Sequence, residues 1–196
     1  MSVSITKSGI IKAEGVGINP NLIKNSINGS GWSYSSFNST EKIFARSTTA
    51  TSESFVSCRA DLVGGQSYTM SAYIKTNGMV NSVELFAYDS TVKDIRSKNV
   101  GAPTDWTLVF LNFTPSASYN WTNCNIRFDN NGSKTSGTEA ILWVKYPKVE
   151  VGNFVTPWVP HTTDPEYVSN GSIFVEDSSI ARIGADWFIT NEIIEI

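Results

Sequence analysis

Residues 65–78, GQSYTMSAYIKTNG, decide the fold class of this chain. The even-numbered side chains from Tyr68 to Ile74 are apolar or aromatic, and the positions between them are mostly polar. A period of two residues is typical of a strand that buries one face and exposes the other. Glycines at both ends mark the turns where such a strand begins and ends. The segment therefore predicts a half-buried β-strand.

The same alternation extends outward from this strand. In residues 82–88, Val83, Leu85 and Ala87 occupy one set of alternate positions. The other set consists of a glutamate and two aromatic residues. Further strands are predicted at residues 42–46, 54–60, 106–113, 123–128 and 140–149, with a weaker opening strand at residues 21–26. No stretch has helical periodicity. About eight short strands separated by Gly, Asn, Asp and Pro predict an all-β, two-sheet sandwich.

The phase of the alternation predicts which side chains form the core. These residues are Val56, Cys58, Tyr68, Met70, Ala72, Ile74, Val83, Leu85, Ala87, Ile126 and Phe128. The opposite phase consists of Ser57, Arg59, Tyr73, Lys75, Glu84, Phe86, Tyr88, Asn125, Arg127 and Asp129. A slip of one residue would exchange the two faces of a strand, so the exposure of these two sets tests the assignment.

The composition argues against several classes of protein. The 196 residues can form one sizeable core, with an apolar share of 40% and a charged share of only 17%. A net charge of −3 argues against nucleic-acid binding, which needs a concentrated basic surface. Residues 1–9 lack the apolar core of a signal peptide, and no segment approaches the ~20 apolar residues of a membrane span. We expect no nucleic acid and no membrane as partners, and a product that stays in the compartment that makes it.

The chain offers few residues for catalysis. Its single histidine, His161, lies in a proline-flanked segment, which argues against most catalytic triads and histidine-rich metal sites. Cys58 and Cys124 are isolated in the sequence, and we predict that both are reduced packing residues. Two carboxylates that meet only in the fold, as in a glycoside hydrolase, stay an open alternative. We expect no enzyme, no metal site and no cofactor.

A closing motif follows the last predicted strand. Residues 148–152 read KVEVG and residues 156–160 read TPWVP, where the prolines end the sheet because they cannot extend it. Together with the opening strand, the Gly31 and Trp32 pair and residues 62–75, this order resembles a family of jelly-roll modules. They are the carbohydrate-binding modules of families 4 and 9 and their relatives found in tail and baseplate proteins of bacteriophages. The resemblance spans about residues 19–160.

This resemblance implies a jelly-roll β-sandwich that adheres without catalysis to a host-surface saccharide, as a component of a phage or prophage tail tip, baseplate or fibre. It implies a place in the virion tail after synthesis in the host cytoplasm, and contacts with other tail or baseplate subunits. Some relatives hold a structural calcium through an acidic pair in the last strand; Lys145 occupies that region here, which puts the calcium in doubt. The alternatives are a purely structural tail protein without sugar binding and an accessory module of a bacterial enzyme.

Three zones are predicted along the chain: an N-terminal connector strand at residues 1–20, the β-sandwich at residues 21–165 and a C-terminal β tail at residues 166–196. Residues 187–196 contain six large hydrophobic side chains, which a soluble monomer rarely exposes. We therefore predict a homo-oligomer that buries this end. The resemblance to fibre-type proteins favours a trimer.

The outward phase of the strands supplies the candidate ligand surface. Proteins bind saccharides with aromatic faces that pack on the sugar ring and planar polar groups that bond its hydroxyls. The resembled modules use the face of a sheet as their ligand cleft, and the corresponding candidates here are Arg59, Tyr73, Phe86, Tyr88 and Arg127, on one side of one sheet. The alternative is that a loop or the terminal strands cover them. Trp32 and Trp121, in loop-like surroundings, form the second candidate site.

Overall fold

A computed structural model describes residues 19–164 with their side chains, and the backbone of residues 2–5, 11–14, 173–174, 180–183 and 186–189. Every regular element among these residues is a β-strand. In chain order they are β1 (Ser2–Ile5), β2 (Ile11–Glu14), β3 (Ser36–Asn38), β4 (Ile43–Thr48), β5 (Ser54–Ala60), β6 (Tyr68–Thr76), β7 (Val83–Tyr88), β8 (Ile95–Gly101), β9 (Thr107–Phe113), β10 (Cys124–Asn130), β11 (Ala140–Val151), β12 (Ile173–Phe174), β13 (Ile180–Ile183) and β14 (Asp186–Ile189).

Nine of these strands form two antiparallel sheets. The front sheet has the order β5-β10-β7-β8, and the back sheet has the order β3-β4-β11-β6-β9. From β4 to β11 the chain crosses between the sheets in the order of a jelly roll, with β7 and β8 the one consecutive pair that stays in a single sheet. The predicted all-β, jelly-roll sandwich is confirmed.

The terminal strands form a third sheet with the order β1-β2-β14-β13-β12. Strands from the two ends of the chain join where Trp187 on β14 pairs with Ile11 on β2. The short terminal β extensions are therefore confirmed as strands, whereas the zone boundaries at residues 20 and 165 stay predictions. The predicted burial of the apolar side chains at residues 187–196 lies outside the side chains that are described.

The core lies between the front and back sheets and has the predicted composition. All eleven predicted core residues are buried, with at most 3% of each exposed. The strand register is therefore the expected one, because a slip of one residue would have exposed them. Cys58 and Cys124 belong to this core as free thiols, and burial raises the pKa of both, to about 12 for Cys124. Both cysteines are packing residues.

Two strand assignments differ from the sequence prediction. Residues 21–26 are not a strand; they make isolated bridges at Asn21 and Ile23, and the side chain of Asn21 bonds to β11 instead. An asparagine amide can replace a ladder pair because it both donates and accepts. Strand β8 was not predicted, since its core-side positions include Arg96 and Lys98 in place of apolar residues. Charged side chains on an edge strand discourage pairing with another chain.

The closing motif forms a buried ionic network beside a bulge in β11. The register of β11 shifts between Lys145 and Lys148, where Tyr146 has a φ of 54°. Beyond the bulge, Lys148 and Glu150 lie 3.2 Å apart, with 1% and 0% of their side chains exposed. The Lys148 Nζ donates to Thr156 Oγ1 at 2.5 Å and to the Pro157 carbonyl at 2.8 Å, and Glu150 Oε1 accepts from the Thr156 amide at 2.8 Å.

The network fixes the exit of the chain from the sandwich. Burial lowers the pKa of Lys148 to about 8, and the negative charge of Glu150 opposes that change. Trp158 adds a hydrogen bond from its indole nitrogen to the Pro147 carbonyl at 3.1 Å. Residues 156–158 therefore lie against the C-terminal half of β11, held there by their hydrogen bonds to Pro147, Lys148 and Glu150.

Candidate functional site

The outer face of the front sheet presents three rows of side chains across its four strands. The rows, each given in the order β5, β10, β7 and β8, are Arg59, Asn125, Tyr88 and Ile95; Ser57, Arg127, Phe86 and Ser97; and Phe55, Asp129, Glu84 and Asn99. The set combines three aromatic rings with several planar polar groups. Four of the five predicted surface residues, all but Tyr73, are brought together here, and we call the twelve residues the front-sheet surface.

Arg127 is the centre of the front-sheet surface. Its guanidinium carbon lies 3.7 Å from the ring centroid of Phe55, 5.6 Å from that of Phe86 and 5.9 Å from that of Tyr88. It also makes two parallel hydrogen bonds to Asp129, at 2.9 and 2.6 Å, and one to Glu53 at 3.1 Å. Burial alone would lower the pKa of Arg127. The hydrogen bonds to Asp129 and the negative charge of that carboxylate outweigh burial, so the pKa of Arg127 is raised.

Arg127 therefore holds the surrounding rings in place. With 13% of its side chain exposed, Arg127 lies largely beneath its neighbours. A guanidinium that is fixed by a bidentate carboxylate gives the rings around it a rigid base. The groups at the edge of this cluster, Tyr88 and Arg59, are better placed to meet a ligand, because Arg59 is exposed and Tyr88 is partly exposed.

The prediction for Tyr73 was wrong. Tyr73 lies on β6, which belongs to the back sheet, and it pairs with Lys145 and Leu108 there. Alternation along a strand shows which face a residue occupies, but it does not show which sheet the strand joins. Tyr73 is on an outward face, as predicted, but on the opposite side of the sandwich from Arg127.

Trp32 and Arg59 line a single cavity at one end of the front-sheet surface. The cavity has a volume of about 260 Å³, and its other walls include Lys24, Asp61 and Asn123. The Trp32 ring stacks on Phe44 with 4.4 Å between centroids, and its indole nitrogen donates to the Lys24 carbonyl at 2.9 Å. The sequence placed Trp32 and Arg59 in two separate candidate sites, and the structure joins them. It also adds the polar residues at positions 24, 61 and 123, which no strand pattern marked.

The prediction for Trp121 was also wrong. Trp121 is 2% exposed and packs against Phe113 at the end of the core, with 6.1 Å between the two ring centroids. The Ser- and Asn-rich sequence around it suggested an exposed loop. An aromatic residue in a loop can nevertheless close the open end of a sandwich, and Trp121 lies three residues before the start of β10. It therefore cannot contact a ligand at the surface.

Sequence reasoning missed an apolar area on the outer face of the back sheet. Trp106, Leu108 and Phe110 are 39%, 44% and 42% exposed. Most residues of β9 are apolar in both sets of alternate positions, so composition alone does not separate the buried side of this strand from its exposed side. The signal that could have separated them is the phase of the strand, since Val109, Leu111 and the final phenylalanine of β9 take the buried positions.

Asp89 directly follows β7, next to the front-sheet surface, and organises the turn to β8. Its carboxylate accepts the main-chain amides of Thr91, Lys93 and Asp94 at 2.9, 2.6 and 2.7 Å, as well as the Thr91 hydroxyl. Burial would raise the pKa of Asp89, but these hydrogen bonds outweigh it and lower the pKa to about 2. The turn therefore depends on an ionised carboxylate.

Acid should weaken this turn. A carboxylate whose pKa falls on folding contributes stability that is complete above its unfolded pKa of 3.8 and is lost as the pH falls towards about 2. We expect Asp89→Asn to lower the melting temperature at pH 7 and to lose less additional stability than the parent between pH 4 and pH 2. Melting curves across this interval measure both effects. Equal slopes for the two proteins would contradict the role of Asp89.

Two features are absent from the part of the chain that the structure describes. Within it, no three His, Cys, Asp or Glu side chains come together as a possible metal site. It also contains no helix that is long and apolar enough to cross a membrane.

Comparison with known proteins gives likenesses of structure only. No family model matches the sequence, and no curated protein matches it. Similar solved structures include a family 4 carbohydrate-binding module, at 13% identity and a TM-score of 0.49, with 63% of this chain and 96% of that chain covered. A family 16 carbohydrate-binding module is 14% identical, with a TM-score of 0.46 and coverages of 66% and 99%. The tripod of the bacteriophage Tuc2009 baseplate is 14% identical, with a TM-score of 0.45 and coverages of 82% and 64%.

Proposed function

We propose that this protein is a phage or prophage tail-tip, baseplate or fibre component that adheres without catalysis to a saccharide on the host surface. The observation that carries the binding proposal is the row of Tyr88, Asn125 and Arg59, which continues into the cavity lined by Trp32. The proposed tail role rests on the resemblance of the closing motif and its preceding segments to phage-associated modules. The partners of the protein would be other tail subunits. We propose that it forms a trimer and that it is located in the virion tail.

The chemistry of this row suits a sugar ring. A phenol ring offers a flat apolar face, and an amide and a guanidinium offer planar hydrogen-bonding groups, as saccharide hydroxyls require. The cavity of about 260 Å³ adds a recess in which the end of a glycan can be surrounded. Binding at one such site would be weak, and several copies in an oligomer would raise the overall affinity through multivalency.

The carboxylates on the front-sheet surface support binding without hydrolysis. Asp129 and Glu84 pair across β10 and β7, so two acids do meet, as a glycosidase requires. However, Asp129 is fully buried, and both of its oxygens accept hydrogen bonds from Arg127. A carboxylate in this state cannot approach a glycosidic bond.

One observation favours the alternative of a purely structural tail protein. Arg127 directs its hydrogen bonds to Asp129 and Glu53, so the centre of the surface is already satisfied by the protein itself. Such a cluster would also suit a packed subunit contact. The two proposed functions differ at Arg59 and Tyr88, the exposed edge of the surface. A saccharide-binding protein needs these side chains to contact its ligand, and a structural protein does not.

Substitution at that edge separates the two functions. Tyr88→Ala and Arg59→Ala should each weaken the binding of a neutral glycan selected on an array by roughly several-fold, because each removes about 1 kcal/mol of contact. Trp106→Ala, on the opposite face, is the matched control and should bind like the parent. Titration calorimetry measures the affinities. If the parent protein binds no glycan, the structural alternative is favoured. If Tyr88→Ala and Arg59→Ala both bind as the parent does, the saccharide site is not on the front-sheet surface.

A further inference from the structure

The outer face of the back sheet carries a second surface that the proposed function does not use. It consists of Tyr73 and Lys75 on β6, Trp143 and Lys145 on β11, Leu108 and Phe110 on β9, and Trp106 immediately before β9. We call it the lysine–aromatic surface. Its β9 side is about two-fifths exposed, and its other members are partly exposed. Its β11 residues precede the bulge in that strand, whereas residues 156–158 bond to the part of β11 that follows Tyr146.

Lysines and aromatic residues alternate on this surface. The strand register places Trp143 beside Lys75, and it places Lys145 beside Tyr73, which faces Leu108 on the next strand. Residues on neighbouring strands that pair directly have Cβ atoms about 5 Å apart, so each lysine stem runs alongside an aromatic ring. The Lys145 ammonium also lies 4.8 Å from the ring centroid of Tyr146. The result is a positive and aromatic face.

The charge of this face is not balanced by acidic side chains within it. Between residues 19 and 164, the ion pairs of the sandwich involve Lys24, Arg96, Arg127 and Lys148, and not Lys75 or Lys145. Glu150 lies further along β11 but is buried and paired with Lys148, while Asp105 and Glu139 precede β9 and β11 and lie outside them. A positive surface on a protein of net charge −3 is complementary to an anionic ligand.

We propose that the lysine–aromatic surface binds an anionic polysaccharide, with its rings packed on the sugars and with Lys75 and Lys145 on their carboxylate or phosphate groups. The exposed ring of Trp106 suits the apolar side of a sugar ring. Two ammonium groups on neighbouring strands suit repeated negative charges along a polymer. This site is independent of the front-sheet surface, because the two lie on opposite faces of the sandwich.

Affinity electrophoresis of the full chain tests the proposal with three probes: polygalacturonate, a phosphorylated mannan and neutral dextran. We expect at least one of the two anionic polymers to retard the protein, with a loss of retardation as salt rises from 0.05 to 0.5 M, since screening shortens the Debye length to well below about 10 Å. The variant Lys75→Gln/Lys145→Gln should bind the retarding polymer roughly five- to tenfold more weakly, and Trp106→Ala should also weaken it. The comparison of the two anionic polymers distinguishes carboxylate from phosphate.

Tyr119→Ala is the matched control, because Tyr119 is 41% exposed but belongs to neither surface, so its loss should leave retardation by the anionic polymers unchanged. Equal binding by the parent and the double-lysine variant would overturn the proposal, as would equal retardation in dextran. A failure of both anionic polymers to retard the protein would also overturn it. A parent that forms a concentration-dependent dimer, abolished by Trp106→Ala, would assign this face to a subunit contact instead. Melting curves confirm that each variant is folded.

Discussion

Glu150→Ala should lower the free energy of unfolding by about 3 to 5 kcal/mol, the cost of leaving a buried charge without its partner. Lys148 is 1% exposed and lies 3.2 Å from the carboxylate that this change removes. The Thr156 amide would lose its acceptor as well. Denaturant unfolding measures the loss, and a melting temperature lowered by several degrees should accompany it.

Two controls isolate the buried charge. Glu53→Ala removes a carboxylate that also pairs with an arginine, but the Glu53 side chain is 54% exposed, so we expect a loss of about 1 kcal/mol or less. The double variant Lys148→Met/Glu150→Gln removes both charges and keeps an acceptor for Thr156, so it should be more stable than Glu150→Ala. If Glu150→Ala costs no more than Glu53→Ala, the ionic network does not hold the exit of the chain.

Trp121→Ala should destabilise the fold by about 3 to 5 kcal/mol, because it leaves a large cavity at the end of the core. Trp121 is 2% exposed and lies against Phe113. Trp121→Phe should cost much less, since it keeps a ring in place and removes an indole N–H that is buried without an acceptor within the described residues. Denaturant titration of the two variants measures the difference.

Trp106→Ala is the matched control for this substitution. Trp106 is 39% exposed on the back sheet, so its loss should change the free energy of unfolding by less than about 1 kcal/mol. Equal losses for Trp106→Ala and Trp121→Ala would show that the burial assigned to Trp121 is wrong.

The fold was largely predictable because its strands are half-buried. Alternation in β5 and β7 matches burial directly, β6 and β10 also bury some polar side chains such as Thr69 and Asp129, and all the core residues predicted from the pattern are buried. Strand β8 was not predictable in this way, because Arg96 and Lys98 occupy core-side positions at the edge of the sheet. The opening segment was misassigned because the Asn21 side chain, and not its main chain alone, makes its contacts with β11.

The candidate site was only partly predictable, because its parts come together through sheet assignment. Period-two patterns place Arg59, Tyr88 and Arg127 outward, but only the strand order shows that β5, β7 and β10 are neighbours and that β6 belongs elsewhere. The meeting of Trp32 with Arg59 depends on the path of a loop that follows no periodic pattern. Loop geometry is set by local main-chain bonds and packing, so a sequence pattern could not place Trp32.

The central claim is that the front-sheet surface and its adjoining cavity bind a saccharide. The most direct test records the side-chain N–H signals of arginine and tryptophan by NMR while the protein is titrated with neutral glycans released from bacterial cell walls. The Arg59 guanidinium and Trp32 indole signals should shift in proportion to binding, and the Trp106 indole signal should stay in place. Absence of any shift, or a shift of Trp106 while Arg59 and Trp32 are unchanged, would contradict the claim.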